Sequence, residues 1–193
     1  IAHNLGVAPN WILIKSRDAA ENWVNYHSFL GAGGYIYLNT NAAAGSGNTS
    51  IFNNTAPTSS VFTVNTDGNV NNSGDDYIAY CFNEVKGFSK FASYKGNGTA
   101  SAGTFIYTGF KPAFVLYKKS NGAENWFISD NKRDGFNDDN EYLFGDITQV
   151  EGSGVNRIRF LSNGFQMTTS DGGANGSGDT YIYMAFAESP LDF

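Results

Sequence analysis

Two loops of the sequence concentrate side-chain oxygens at a spacing that could bind a metal ion. One loop holds Asp67, Asn71 and Asp75, and its echo about 100 residues later holds Asp171, Asn175 and Asp179. A hard cation such as Ca²⁺ takes about six to eight oxygen ligands, which a bending loop of this composition can supply. The alternative is an ion-free loop in which Asx turns and glycines satisfy the backbone. Because the spacing is not that of an EF-hand, we favour the ion-free loop and expect no cofactor.

Aromatic side chains that differ between the two copies are the candidates for binding a carbohydrate. Sugars bind flat apolar rings together with planar amide and carboxylate groups. Tyr80 stands where the second copy has Met184, and Tyr183 stands where the first copy has Ala79. Tyr80 and Tyr183 are therefore the candidate ligand-binding residues, with a role in packing as the alternative for both.

The residue types needed for catalysis do not recur in a usable pattern. The two histidines, His3 and His27, have no counterpart in the second copy. Nucleophilic catalysis needs a nucleophile and a base held together, and glycoside hydrolysis needs two carboxylates around the bond. Glu21 and Glu124 recur, but each is a single carboxylate at a turn or strand edge. We expect no catalytic residue, and hence a protein that is not an enzyme.

These candidates lie in a module whose sequence occurs twice in the chain. Residues 9–23 read PNWILIKSRDAAENW, and residues 112–126 read PAFVLYKKSNGAENW. A period of this length is the size of a domain and not of a solenoid repeat. The sequence predicts one unit over 1–88, whose opening strand is expected upstream of Ile1, and a second over 89–193. Trp23 and Trp126 recur, which places them in the core.

The spacing of apolar and turn residues predicts an all-β fold. Gly, Asn, Asp and Ser clusters separate short segments rich in Val, Ile, Tyr and Phe, which is typical of a sandwich or jelly roll. We predict two tandem jelly-roll or concanavalin A-like β-sandwiches, or alternatively one large pseudo-symmetric sandwich. The predicted strands are 11–15, 22–27, 35–39, 61–64, 76–82, 91–94, 105–108, 114–118, 125–129, 141–144, 157–161, 165–169 and 180–187.

Two predicted strands in each copy are apolar on both faces. They are residues 11–14 and 77–82 in the first copy, and residues 114–117 and 181–186 in the second. A strand of this kind lies in the middle of a sheet and is covered on both sides. The cover could be the other unit, a neighbouring chain or a ligand, and a homo-oligomer is one such arrangement.

Composition excludes several classes of partner. The net charge of −6, with Lys and Arg scattered, argues against nucleic acid. No apolar run approaches the roughly 18 residues of a membrane span. The acidic stretch that holds Asp134, Asp138 and Asp139 is interpreted as a solvated loop.

Several turn and strand segments form a recognisable set. In the second copy they are residues 94–98 (YKGNG), 109–112 (GFKP) and 175–181 (NGSGDTY), and in the first copy residues 6–9 (GVAP) and 71–77 (NNSGDDY). Together they resemble a repeat domain of unknown function found in tail-fibre and virion-surface proteins of tailed, often marine, bacteriophages. The resemblance implies a lectin/glucanase-type, concanavalin A-like sandwich and an adhesive virion module.

The function that the resemblance favours is a non-enzymatic module at the virion surface, and so extracellular, that contacts host cell-surface glycan. The Glu-x-Asp-x-x-Glu pattern of glucanases with this fold is absent, which makes a carbohydrate-active enzyme the weakest hypothesis. The alternative is a purely structural domain that decorates a capsid or builds a fibre, with other virion proteins as partners.

Overall fold

A computed structural model describes residues 1–133, 137, 141–153 and 157–189 of the 193-residue chain. The acidic stretch with Asp134, Asp138 and Asp139 lies outside the described residues. The chain divides into two compact units, Ile1–Glu84 (unit 1) and Val85–Phe193 (unit 2).

The prediction of an all-β fold is confirmed. The strands of the described residues pair antiparallel in three sheets, and no sheet among them takes strands from both units. None of the described helices is long and apolar enough to span a membrane. The strands are β1 (Trp11–Ser16), β2 (Val24–His27), β3 (Ile36–Tyr37), β4 (Tyr77–Phe82), β5 (Ser89–Lys95), β6 (Phe105–Tyr107), β7 (Pro112–Lys119), β8 (Phe127–Asp130), β9 (Leu143–Phe144), β10 (Ile158–Leu161), β11 (Gly164–Met167) and β12 (Thr180–Ala187).

Unit 1 is built on one four-stranded sheet in the order β3-β2-β1-β4. Two single-turn helices, α1 (Thr49–Phe52) and α2 (Gly68–Asn71), begin at Asn48 and Asp67, whose side chains accept from Ser50 N and Asn69 N. This is ordinary N-capping, since a side-chain oxygen satisfies an otherwise unpaired backbone donor. The core of unit 1 consists of Ile12, Ile14, Val24, Tyr26, Ile51, Phe52, Phe62 and Val70.

Unit 2 contains two sheets, β5-β12-β7-β8-β9 and β10-β11-β6. Both contribute side chains to one hydrophobic core, as the layers of a sandwich do. From the five-stranded sheet come residues such as Tyr94, Tyr117 and Tyr183, and from the three-stranded sheet Ile106 and Phe165.

The two units share a sheet order but not a complete set of strands. The order β3-β2-β1-β4 corresponds to β9-β8-β7-β12, and unit 2 adds β5 beyond β12. The prediction of a strand over 61–64 is wrong, because these residues form only an isolated bridge between Val61 and Ala2. In unit 2 the corresponding β11 pairs with β10, whereas unit 1 has Pro57 at the position of Phe160. Proline lacks the N–H that a ladder needs.

The strands predicted to be covered on both faces also differ between the units. In β12, the residues from Tyr181 to Ala185 are all buried, as predicted. In β4, the prediction is wrong, because Ile78, Ala79 and Tyr80 are exposed. The physical reason is the position of β4 at the edge of its sheet.

Candidate functional site

The first acidic loop uses its oxygens to hold its own turn together. Asp67 Oδ1 accepts from Asn69 N at 2.9 Å, and its Oδ2 accepts from Ser50 Oγ at 3.3 Å. Asp75 Oδ2 accepts from Asn72 Nδ2 at 2.9 Å, while Asn71 is exposed.

The carboxylates of the second acidic loop pair with cations of the protein itself. Asp171 Oδ1 accepts from Arg157 at 2.7 Å, and Asp179 Oδ2 lies 2.9 Å from Lys119 Nζ. Within the part of the chain that the structure describes, no three His, Cys, Asp or Glu side chains cluster as a metal site would require. Each loop carboxylate therefore has a partner in the fold, and a bound Ca²⁺ would compete with these bonds.

Asn175, the third candidate in this loop, is a buried clamp on the segment that joins β5 to β6. Its Nδ2 donates to Asn97 Oδ1, Thr99 O and Thr169 O at 3.0, 3.2 and 2.8 Å. Its Oδ1 accepts from Asn97 N at 3.0 Å and from Thr104 Oγ1 at 3.3 Å. The side-chain amide of Asn175 thus uses all of its donors and acceptor sites to position a neighbouring loop.

The two candidate ligand tyrosines lie in opposite environments. Tyr183 is 1% exposed and packs edge-on against Phe165 with 5.2 Å between ring centroids. Its ring therefore offers no surface to a ligand. Tyr80 is 44% exposed on β4 and remains a candidate.

Both histidines bond to nearby backbone. His27 is buried, accepts from Phe29 N through Nδ1 at 3.1 Å, and packs edge-on against Trp11. His3 Nδ1 accepts from Leu5 N at 3.2 Å. These contacts give both rings a role in local structure.

The repeated lysine closes the loop after the central strand in both units. Lys15 Nζ donates to Ser16 O and Ala19 O, each at 2.9 Å. Lys118 Nζ donates to Lys119 O at 2.6 Å and to Gly122 O at 3.3 Å. Burial lowers the pKa of Lys118 to about 8, and the nearby Asp146 and Glu124 carboxylates partly oppose this effect. A recurring bond of this kind explains why the lysine is shared.

We expect the contribution of Lys118 to the free energy of unfolding, taken as the difference between the native chain and Lys118→Met, to rise between pH 8 and pH 10. In this range the unfolded lysine, with a pKa of 10.5, binds more protons than the folded one, so stability increases with pH. A pKa difference of one corresponds to about 1.4 kcal/mol. Taken over the range from pH 8 to pH 10, the difference between the folded pKa of about 8 and the unfolded value of 10.5 gives a rise of about 2 kcal/mol.

Denaturant titrations at several pH values would measure this rise, with Lys118→Met as the matched control. The methionine variant should lack the added slope, because its side chain does not titrate. Parallel pH profiles for the two proteins would contradict the assignment to Lys118.

Two exposed aromatic residues that the sequence did not single out lie side by side on the three-stranded sheet of unit 2. Phe105 and Tyr107 are 46% and 65% exposed, whereas Ile106 between them is buried in the core. Alternate residues of a strand point to opposite faces, so the two rings lie on one outer face of β6.

Polar side chains continue this face across the sheet. Phe105 pairs with Gln166, which pairs with Arg159, so these three residues form one cross-strand row. Tyr107 pairs with Gly164, where a Cβ would collide with Ile106 O and lie 3.1 Å from the Phe105 ring, so the glycine allows that ring to lie close to the backbone. Gln166 Nε2 donates to Gly103 O at 3.1 Å, which fixes its amide. We call Phe105, Tyr107, Gly164, Gln166 and Arg159 the outer face.

The outer face combines two flat apolar rings with an amide and a guanidinium group. Such a surface stacks on a planar apolar patch of a ligand and bonds to its hydroxyl groups. The comparison of the copies contained the signal, because unit 1 has Ala2 and Asn4 where unit 2 has Phe105 and Tyr107.

Comparisons of the chain with curated proteins and with solved structures found no match. A comparison with protein families found one whose model spans residues 1–190 and so covers parts of both units. The chain belongs to this family, which is described as Domain of unknown function (DUF7483).

Proposed function

We propose that the chain is a non-catalytic carbohydrate-binding module of a tailed-phage virion, and that the outer face of unit 2 contacts host cell-surface glycan. The observation that carries the proposal is the exposure of Phe105 and Tyr107 side by side on one strand. Two neighbouring exposed rings form a contiguous apolar patch, and such patches commonly mark interaction sites.

The remaining members of the face suit a sugar. Gln166 and Arg159 present planar donors and acceptors next to the rings, in the row fixed by the β10-β11-β6 pairing. Sugar hydroxyl groups can bond to such groups while the C–H face of the pyranose packs on the aromatic ring. A shallow face of this kind gives weak affinity, which many copies on one particle would raise.

The proposed fold of each unit is a concanavalin A-like sandwich, complete in unit 2 and partial in unit 1. Two sheets that share one core support the proposal for unit 2. The turn motifs that resemble phage surface domains support it for both units.

Replacing Tyr107 with alanine should reduce retention on host polysaccharide about five-fold. The estimate follows from the roughly 1 kcal/mol that an aromatic contact contributes. Retention of the purified chain on immobilised polysaccharide, with reducing ends followed in the eluate, would measure binding and hydrolysis together.

The comparison variant is Tyr80→Ala, since Tyr80 is the other exposed candidate tyrosine and lies on a strand outside the outer face. Equal loss of retention in both variants would contradict the assignment to the outer face. Release of oligosaccharides that a single carboxylate substitution abolishes would contradict the non-catalytic proposal.

A second candidate function is the assembly of a capsid or fibre. The observation that favours it is the exposed edge strand β4, with Ile78 and Tyr80 37% and 44% exposed. The assembly function would be favoured if virus particles that carry the Tyr107→Ala chain stay intact and still adsorb to the host.

A further inference from the structure

The edge strand β4 of unit 1 is open where its counterpart in unit 2 is covered. In unit 2, β12 lies between β5 and β7, and β5 pairs with it from Ser89 to Lys95. In unit 1, β4 pairs with β1, and no strand of the described residues lies on its other side. An open edge presents unpaired backbone donors and acceptors, and β4 has neither the lysine nor the proline that commonly protects such an edge.

A cavity of about 450 Å³ lies beside this edge in unit 1. Its walls include Phe62, Val70, Tyr77, Ala79 and Cys81. All five are apolar or aromatic residues of the sheet or of the segments that pack on it. Residues 1–4 also line it, so the cavity has a polar side at His3 and Asn4 and an apolar side that continues the hydrophobic core of unit 1 towards the open edge.

In unit 2 the corresponding space is filled by Tyr94 of β5. Its ring stacks on Tyr181 with 4.8 Å between centroids and an interplanar angle of 10°, and it packs edge-on against Phe165 at 6.2 Å. Its hydroxyl donates to Ala174 O at 2.8 Å. By position in the repeat, these three contacts correspond to Tyr77, Phe62 and Val70, which line the cavity of unit 1.

The clamp residue of unit 2 and its counterpart in unit 1 are independent evidence of the same difference between the units. Asn175 is fully buried because it bonds to Asn97, Thr99 and Thr104 in the segment that follows β5. Its counterpart Asn71 is exposed. Unit 1 thus keeps the clamp residue while lacking, among the described residues, the segment that it would hold.

We propose that the edge of β4, the cavity and Asn71 form an acceptor site for an extended strand of the β5 type. Such a strand would pair with β4 by backbone hydrogen bonds and place a tyrosine in the cavity, as in recognition by strand addition. We call it the donor strand. In unit 2, β5 continues through a loop into β6, which occupies the position of Ala2–Asn4 in unit 1 by repeat alignment. A donor strand joined to the chain just before Ala2 would therefore reach β4 by the same connection that links β5 to β6 in unit 2.

A second copy of the chain is a poorer donor. Its own β5 is already paired with β12 over the seven residues from Ser89 to Lys95, and its Tyr94 is buried. Donating that strand in trans would open an identical edge and cavity in the donor molecule.

The experiment is to fuse a copy of residues 88–103 directly before Ile1 and to follow the reactivity of Cys81. Cys81 is the one cysteine of the sequence and lines the cavity, so alkylation by a thiol reagent reports its occupancy. We expect the extension to slow alkylation at least about ten-fold and to protect the backbone amides of Ile78 and Tyr80 from hydrogen exchange.

The control is the same extension with alanine in place of the copied Tyr94. It should leave Cys81 reactive, because the cavity stays unfilled. Equal reactivity of Cys81 in all three proteins would overturn the proposal. A dimer of the unextended chain in which Cys81 is already protected would overturn it in favour of a second copy as the occupant.

Discussion

Replacing Trp126 with alanine should lower the free energy of unfolding by about 3–5 kcal/mol, as is usual for a large aromatic residue removed from a core. Trp126 is 0% exposed, and its backbone N–H donates to Asp146 Oδ1 at 3.0 Å, so the backbone around the ring is fixed. A rigid surrounding cannot close over the space that the indole leaves. Chemical denaturation, followed by far-ultraviolet circular dichroism, would measure the loss.

The repeat supplies a matched control in Trp23. Its backbone N–H makes the corresponding bond to Asn39 Oδ1 at 2.9 Å, but its side chain is only half-buried, which departs from the prediction that both tryptophans are core residues. Trp23→Ala should therefore cost no more than about half as much, because less apolar area leaves water on folding. Equal losses for the two variants would contradict the burial argument.

Replacing Asn175 with leucine should cost on the order of 3 kcal/mol, because several buried partners lose their bonds at once. The variant leaves Asn97 N, Thr99 O and Thr169 O without the amide that binds them in the native structure. Leucine has a similar size, so the loss reports polar satisfaction more than volume. The free energy of unfolding from denaturant titration is again the measurement.

Asn71→Leu is the control for this second change. Asn71 occupies the same place in the repeat but is exposed, and exposed substitutions usually change stability by less than about 0.5 kcal/mol. A loss at Asn71 as large as that at Asn175 would show that the asparagine acts through its own loop and not through the segment that it clamps.

The positions of most strands could be predicted from the sequence, because alternation and turn residues are local properties. The predicted strand over 180–187 has the bounds of β12, and most of the others differ from the observed strands by a few residues at their ends. The strand over 61–64 failed for a non-local reason, since a strand forms only where a partner can donate to it. Pro57 stands in the segment that would supply that partner.

The sequence predicted the type of candidate site, unshared aromatic residues, but not its location. Aromatic residues that differ between the two copies are candidates for ligand binding. This rule selects Tyr80 and Tyr183 because both lie on strongly apolar strands. The same rule applied to Phe105 and Tyr107 would have reached the outer face. That Gln166 lies beside Phe105, and Arg159 beside Gln166, follows from the register of β10, β11 and β6, which the sequence does not reveal.

The sequence by itself therefore determined the repeat, the all-β class, the turns and the shared lysine and tryptophan positions. Only the tertiary structure decided that Tyr183 is buried and Tyr80 exposed, although β4 and β12 have nearly the same apolar pattern. The physical reason is that Tyr183 faces the core and packs on Phe165, whereas Tyr80 lies on the solvent-facing side of an edge strand. β5 covers the edge of β12, and no strand of the described residues covers the edge of β4.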